Sequence, residues 1–194
     1  MERLLLVRPD ESMEEEIAGY RRDFLATANV IEGSGALAGF ADPAAWLAFT
    51  RRVETEEGAS PIGWVPSLQF VCLRASDGRL VGMLQLRTRF NDFLRKFGGN
   101  IGYSVRPGER RKGYAARMLA MALPRAREAG LTRALITCAP DNEGSRRTIL
   151  KNGGVYESTV YNDRDGVWLM RYWIELAETA PGRDGGADGP GRMR

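Results

Sequence analysis

Histidine is absent from the 194 residues, so no imidazole is available as a base or a metal ligand. That excludes Ser-His-Asp and Cys-His nucleophilic catalysis and most zinc hydrolases. Cysteine is scarce. Cys72 and Cys138 are the only two, and each sits inside an apolar, strand-like run. They read as buried thiols, with no disulfide framework and no metal site expected. No apolar run is long enough to span a bilayer. The opening stretch from Met1 to Pro9 is also too short in apolar residues for a signal peptide, and it reads as a first strand. A cytoplasmic setting is the expectation. The net charge of +3 is small, so nucleic-acid binding would have to rest on clustering. The only cluster is Arg106, Arg110, Arg111 and Lys112, and neither nucleic acid nor membrane is expected as a partner.

What is present reads as one mixed α/β domain over residues 1–177. Ser12-Met13-Glu14-Glu15 matches a capping box. Met13, Ile17, Tyr20 and Phe24 recur at helical spacing, which predicts a helix over 12–28. A Gly-rich loop follows from Asn29 to Ala41. Asp42-Pro43 then caps a second helix, which is expected to run to Gly58. Leu68–Ala75 and Leu80–Arg89 form a hairpin around Ser76-Asp77-Gly78. Ile101–Val105 is a further strand, and a helix is expected from Lys112 to Ala129, with Pro124 predicted to kink it. Strand Thr132–Cys138, helix Asn142–Asn152 and a final hairpin of Val155–Tyr161 and Val167–Leu176 complete the domain. Beyond it, residues 178–194 are rich in Gly, Pro, Asp and Arg, and a disordered tail is expected.

The informative stretch runs from Gly102 to Ala116. A strand ending at Val105 leads through a basic turn into a helix whose first positions are Gly113, Tyr114, Ala115 and Ala116. Free amides and the positive dipole at a helix start make an anion site. Small residues at 113 and 115 let a phosphate approach the backbone, and Arg110, Arg111 and Lys112 add charge. The competing reading is a solvated basic turn before an ordinary helix. The Gly-Lys-Ser/Thr ending of a Walker loop is missing, as are the three spaced glycines of a dinucleotide fingerprint.

Arg110-x-x-Gly113-x-Ala115 after a strand resembles the Gln/Arg-x-x-Gly-x-Gly/Ala motif of the GNAT N-acetyltransferase superfamily. Asn142-Glu143-Gly144-Ser145 is similar to the Asn-x-x-Ser/Ala that opens the next helix there, and Lys151-Asn152-Gly153-Gly154 is similar to that helix's ending. Met83–Arg89, Asn91–Leu94, Gly102–Pro107 and Arg171–Ile174 resemble blocks of a bacterial group of predicted acetyltransferases without assigned substrates. The resemblance implies a mostly antiparallel central sheet flanked by helices. It also implies a splayed parallel pair formed by the strands over 101–105 and 132–138. Acetyl-CoA would be the co-substrate, with no metal, and a small-molecule or peptide amine the acceptor, in a monomer or a homodimer. Arg110 to Ala116 would hold the pyrophosphate, Asn142 and Ser145 would line the far side, and the Val105 backbone would bind the pantetheine arm and the thioester carbonyl.

The sequence departs from that pattern at its acid and base. The helix position that often carries a donor Tyr is Ile149, and a strand position that often carries a carboxylate is Thr137. Asn100 stands where the closer group often has His. Val105, Asn100 and Tyr103 remain as the catalytic candidates, with Tyr156 a second possible donor. Glu32 and Asp92 could meet an amine, and Arg87 could grip a substrate carboxylate. For each of these the plainer reading is a core tyrosine, a solvated loop charge or an exposed strand face. The empty positions also leave open a non-catalytic acyl-CoA-binding or regulatory module.

Overall fold

The computed structural model describes residues 2–27 and 29–176; the expected tail lies outside them. Strands form where apolar and β-branched residues alternate or run together: β1 Leu4–Val7, β2 Ser67–Arg74, β3 Leu80–Arg87, β4 Ile101–Val105, β5 Arg133–Cys138, β6 Val155–Asn162 and β7 Val167–Glu175. The helices are α1 Glu14–Leu25, α2 Pro43–Arg52, α3 Glu56–Ala59, α4 Tyr114–Glu128 and α5 Glu143–Lys151. The fold is mixed α/β, with antiparallel sheets between helices.

Local chemistry explains where the boundaries differ from expectation. The capping box at Ser12 does not form. Asp10 instead accepts from the Ser12 amide and starts a short 3-10 turn at Glu11–Met13, ahead of α1. The second helix ends at Arg52, because Thr55 starts a separate helix by accepting from the Gly58 amide. Pro124 lies within α4 without ending it. The amide it lacks would have bonded Ala120, which is on the exposed face, where water can substitute.

Two sheets result, in the orders β1-β2-β3-β4 and β5-β7-β6, and every ladder in them is antiparallel. The anticipated parallel pair is therefore not a ladder among the described residues. β4 and β5 meet instead through Asn100, at the entry to β4. The Asn100 amide donates to the Leu135 carbonyl (2.7 Å), and its Oδ1 accepts from the Leu135 amide (2.9 Å). Its carbonyl accepts from the Arg87 amide (2.8 Å), and its Nδ2 donates to the Arg87 carbonyl (3.1 Å). One fully buried residue thus joins the last residue of β3 to the third of β5.

Two apolar layers clamp the four-stranded sheet. On one face Ile17, Tyr20 and Phe24 of α1 and Trp46 and Leu47 of α2 pack on Val71 and Met83. On the other, Met118, Leu119 and Ala122 of α4 pack with Leu84, Leu86, Ile136 and Ile149. Cys72 and Cys138 are buried free thiols, and burial pushes Cys72 up to about 12. Among the described residues no helix is long and apolar enough to cross a membrane.

Replacing Asn100 with Ala strands the Leu135 amide and the Arg87 carbonyl in the interior. Each buried, unpaired group costs about 1–3 kcal/mol, so denaturant unfolding of Asn100→Ala should show a loss of about 2–6 kcal/mol. A loss below about 1 kcal/mol would contradict the joint.

Candidate active site

The register of β4 against β3 decides which of its backbone groups are free. The Arg87 amide donates to the Asn100 carbonyl and the Arg106 amide to the Val81 carbonyl, and Met83 and Gln85 face Ser104 and Gly102. Alternate residues bond in an antiparallel ladder. The backbone groups of Ile101, Tyr103 and Val105 therefore turn away from β3, toward β5. Past the Asn100 joint no backbone bond closes that side among the described residues. β4 thus presents a free edge that runs toward α4.

The turn between β4 and α4 supplies a second set of free donors. Arg111 (φ 68°) and Gly113 (φ 78°) are both left-handed, and Gly113 caps α4 without a side-chain bond. None of the amides from Arg110 to Ala116 donates a hydrogen bond among the described residues. Successive free amides at a helix start form an anion-binding concavity. A Cβ placed on Gly113 would meet nothing within 4 Å, so the space in front of this backbone is open.

The basic side chains are only partly available. Arg110 folds back, with Nε on the Val105 carbonyl (3.2 Å) and its guanidinium over Phe24 (5.6 Å). Lys112 Nζ bonds Glu109 Oε2 at 2.7 Å, whereas Arg111 is exposed. Arg106 is removed from the basic patch altogether. It is buried and bonded to Asp23 (2.6 Å) and Glu16 (2.9 Å) of α1.

Glu109 organises the turn, which sequence reasoning missed. It is buried and bonds Arg74 at 2.9 Å as well as Lys112, with Arg79 at 3.4 Å. Burial alone would raise its carboxyl, but the Lys112 bond and the Arg74 charge outweigh that and hold it below the usual range. Asn152 was also missed. Its Nδ2 donates to the Ala116 carbonyl (3.0 Å) and ties the end of α5 to the first turn of α4.

Across the gap, Asn142 caps α5 by accepting from the Ser145 amide (3.0 Å). Ser145 Oγ lies 2.8 Å from the Tyr103 hydroxyl, so a phenol from β4 bridges to the start of α5. Burial pushes that phenol's pKa upward. Ile149 is sealed in the core, and Thr137 donates to the Phe97 carbonyl (2.8 Å), so neither stands in for an acid or a base. Tyr156 is exposed and bonded to Thr159 (2.9 Å), not a core tyrosine. Glu32 and Asp92 are exposed. Among the described residues no cluster of His, Cys, Asp or Glu could hold a metal.

Residues 40–153 match the acetyltransferase (GNAT) family, and the chain belongs to that family. No curated protein matches it by sequence. Among solved structures it is similar to ribosomal-protein-S5-alanine acetyltransferase from Vibrio fischeri, at 17% identity and a TM-score of 0.66, covering 93% of this chain and 97% of that one. It is also similar to Mycobacterium smegmatis RimJ in complex with CoA-disulfide (22% identity, TM-score 0.61, 89% and 81% covered). A third is yncA from Salmonella typhimurium with its cofactor acetyl-CoA (17% identity, TM-score 0.57, 92% and 96% covered). At these identities the likeness concerns the fold.

If the free amides of this turn hold phosphate, Gly113→Val should weaken acetyl-CoA binding about tenfold or more, roughly 1.4 kcal/mol. Calorimetry on variant protein whose circular dichroism is unchanged makes the check. Unaltered affinity would remove the turn from the binding site.

Proposed function

We propose that the chain transfers an acetyl group from acetyl-CoA to an amine by direct attack. The observation that carries this reading is the free edge of β4 followed, past the Pro107–Glu109 turn, by the unbonded amides that lead into α4 and form an anion cradle. Gly113 to Ala116 would bind the pyrophosphate with help from Arg111, and the edge groups of Tyr103 and Val105 would hold the pantetheine arm. The Val105 N–H would hold the thioester oxygen and stabilise the charge that develops there. The amine attacks the carbonyl carbon, the C–S bond breaks, and the thiolate leaves with a proton.

Tyr103 is the group we assign to deliver that proton. Its phenol reaches across the gap to Ser145, and a tyrosine hydroxyl carries its proton at neutral pH. Asn100 has each of its polar groups engaged in joining the sheets, and we assign it a structural part. Asn142 would act through its cap on α5, which places Ser145. The sealed Ile149 and the tethered Thr137 favour a second reading, a module that binds acyl-CoA without turnover. Binding with no transfer over a broad amine panel would establish it.

With no side-chain base, the acceptor loses its proton to solvent. The rate should rise with pH toward the acceptor's own pKa, about 10.4 for a lysine amine and about 7.7–8.0 for an α-amine. Rate–pH profiles for acceptors of different pKa check this, and the limb should move with the acceptor. A limb fixed near pH 5–7 whatever the acceptor, and abolished by Glu32→Gln or Asp92→Asn, would show that a loop carboxylate is the base instead.

A further inference from the structure

Arg87 ends β3 on the face shared by Met83 and Gln85, beside the entry to β4. Its Nη1 donates to the carbonyls of Gly98 (3.0 Å) and Gly99 (3.5 Å), which fixes the guanidinium at the end of the π-helical turn Leu94–Gly98. Its Nη2 lies 3.4 Å from the point a Cβ on Gly102 would occupy. The loop after α1 crosses at the same place. A Cβ on Gly33 would come within 2.1 Å of the Gly102 carbonyl oxygen, and the Glu32 carbonyl accepts from Ser104 Oγ at 2.6 Å. The guanidinium therefore borders a corner made by β4, the Glu32–Gly33 loop and the Gly98–Gly99 turn.

Three other arginines of low exposure have carboxylate partners: Arg106 has Asp23 and Glu16, Arg74 has Asp77 and Glu109, and Arg171 has Glu157. Arg87 has no carboxylate within bridging distance among the described residues, and its Nε–Nη2 edge makes no hydrogen bond there. Burial disfavours its charge, and Glu32 offsets this only at longer range. A desolvated cation without a counterion is costly. The free edge has the geometry that takes a carboxylate through two parallel bonds.

We propose that the Nε–Nη2 edge of Arg87 binds a carboxylate of the acceptor, so that the acetylated amine belongs to a molecule that also carries a carboxylate. The proposal rests on the acetyl-transfer reading above. From Gly102, beside Arg87, to Val105, where the thioester would lie, β4 advances roughly 10 Å. The acceptor's amine and carboxylate are accordingly separated by a spacer, as in an ω-amino acid or a diamino acid. A side chain at position 102 would press on the Gly33 backbone (3.3 Å) and on Arg87 Nη2 (3.4 Å), so glycine there lets the guanidinium sit close against β4.

The test is a series from glycine to 6-aminohexanoic acid, with ornithine and lysine, each paired with its carboxamide. Acetyl transfer is followed with wild type, Arg87→Gln and Arg87→Lys. For at least one spacer the acid should exceed its amide in kcat/KM by about tenfold or more. Arg87→Gln should raise the KM of that acid about tenfold while leaving kcat, the amide and acetyl-CoA within about twofold. Arg87→Lys should restore part of the loss. Equal use of acid and amide throughout the series would overturn the proposal. So would an Arg87→Gln effect shared by acids and amides, which would make the residue only a support for the Gly98–Gly99 turn. Calorimetry of the same pairs on the coenzyme A complex covers the case of no turnover. Acid preference that depends on Arg87 would then keep the site and remove the transferase reading, and its absence would remove the site.

Discussion

The molecule depends on the way Asn100 joins two sheets without fusing them. A continuous ladder between β4 and β5 would satisfy both edges with backbone bonds. Asn100 supplies that satisfaction at one point, using its amide, carbonyl and both side-chain heteroatoms. Beyond this point the strands need not follow each other. The Tyr103 edge groups and the Val105 amide stay free because the joint has already anchored the seam, while the Val105 carbonyl accepts from Arg110. Unpaired backbone donors at a protected edge are costly unless a ligand or water meets them. In this account the cofactor arm takes that role, and an ordinary sheet gap becomes a binding cleft.

The turn into α4 follows the same logic. Its anion cradle comes from backbone amides, and the nearby charges mostly shape the backbone. Arg110 returns to the Val105 carbonyl, Lys112 is held by Glu109, and Glu109 is held by arginines from the β2–β3 hairpin. Asn152 fixes the first turn of α4 from the end of α5. The β2–β3 hairpin and α5 thus both hold the cradle. Rigid placement of weak donors is what oxyanion and phosphate recognition requires.

Much of this was legible in the sequence because it is local. Strand runs, the Asp42-Pro43 start of α2, and the Gly113 entry to α4 each depend on residues a few positions apart. The family motif at Arg110–Ala115 is also a local pattern. What stayed hidden depends on pairs far apart in the chain: Asn100 with Leu135, Glu109 with Arg74 and Arg79, Tyr103 with Ser145. No spacing rule announces such pairs. The capping box at Ser12 failed for a related reason, since Asp10 two residues earlier offered a competing acceptor. Arg106 looked like part of a basic patch because its carboxylate partners lie in α1, some eighty residues earlier in sequence.

Amide hydrogen exchange with and without acetyl-CoA tests the central claim most directly. The Tyr103, Val105 and Gly113–Ala116 amides should become protected by the ligand. Gly102 and Ser104, already bonded to β3, should change little. Protection confined to other segments, or no change along the free edge of β4, would contradict it.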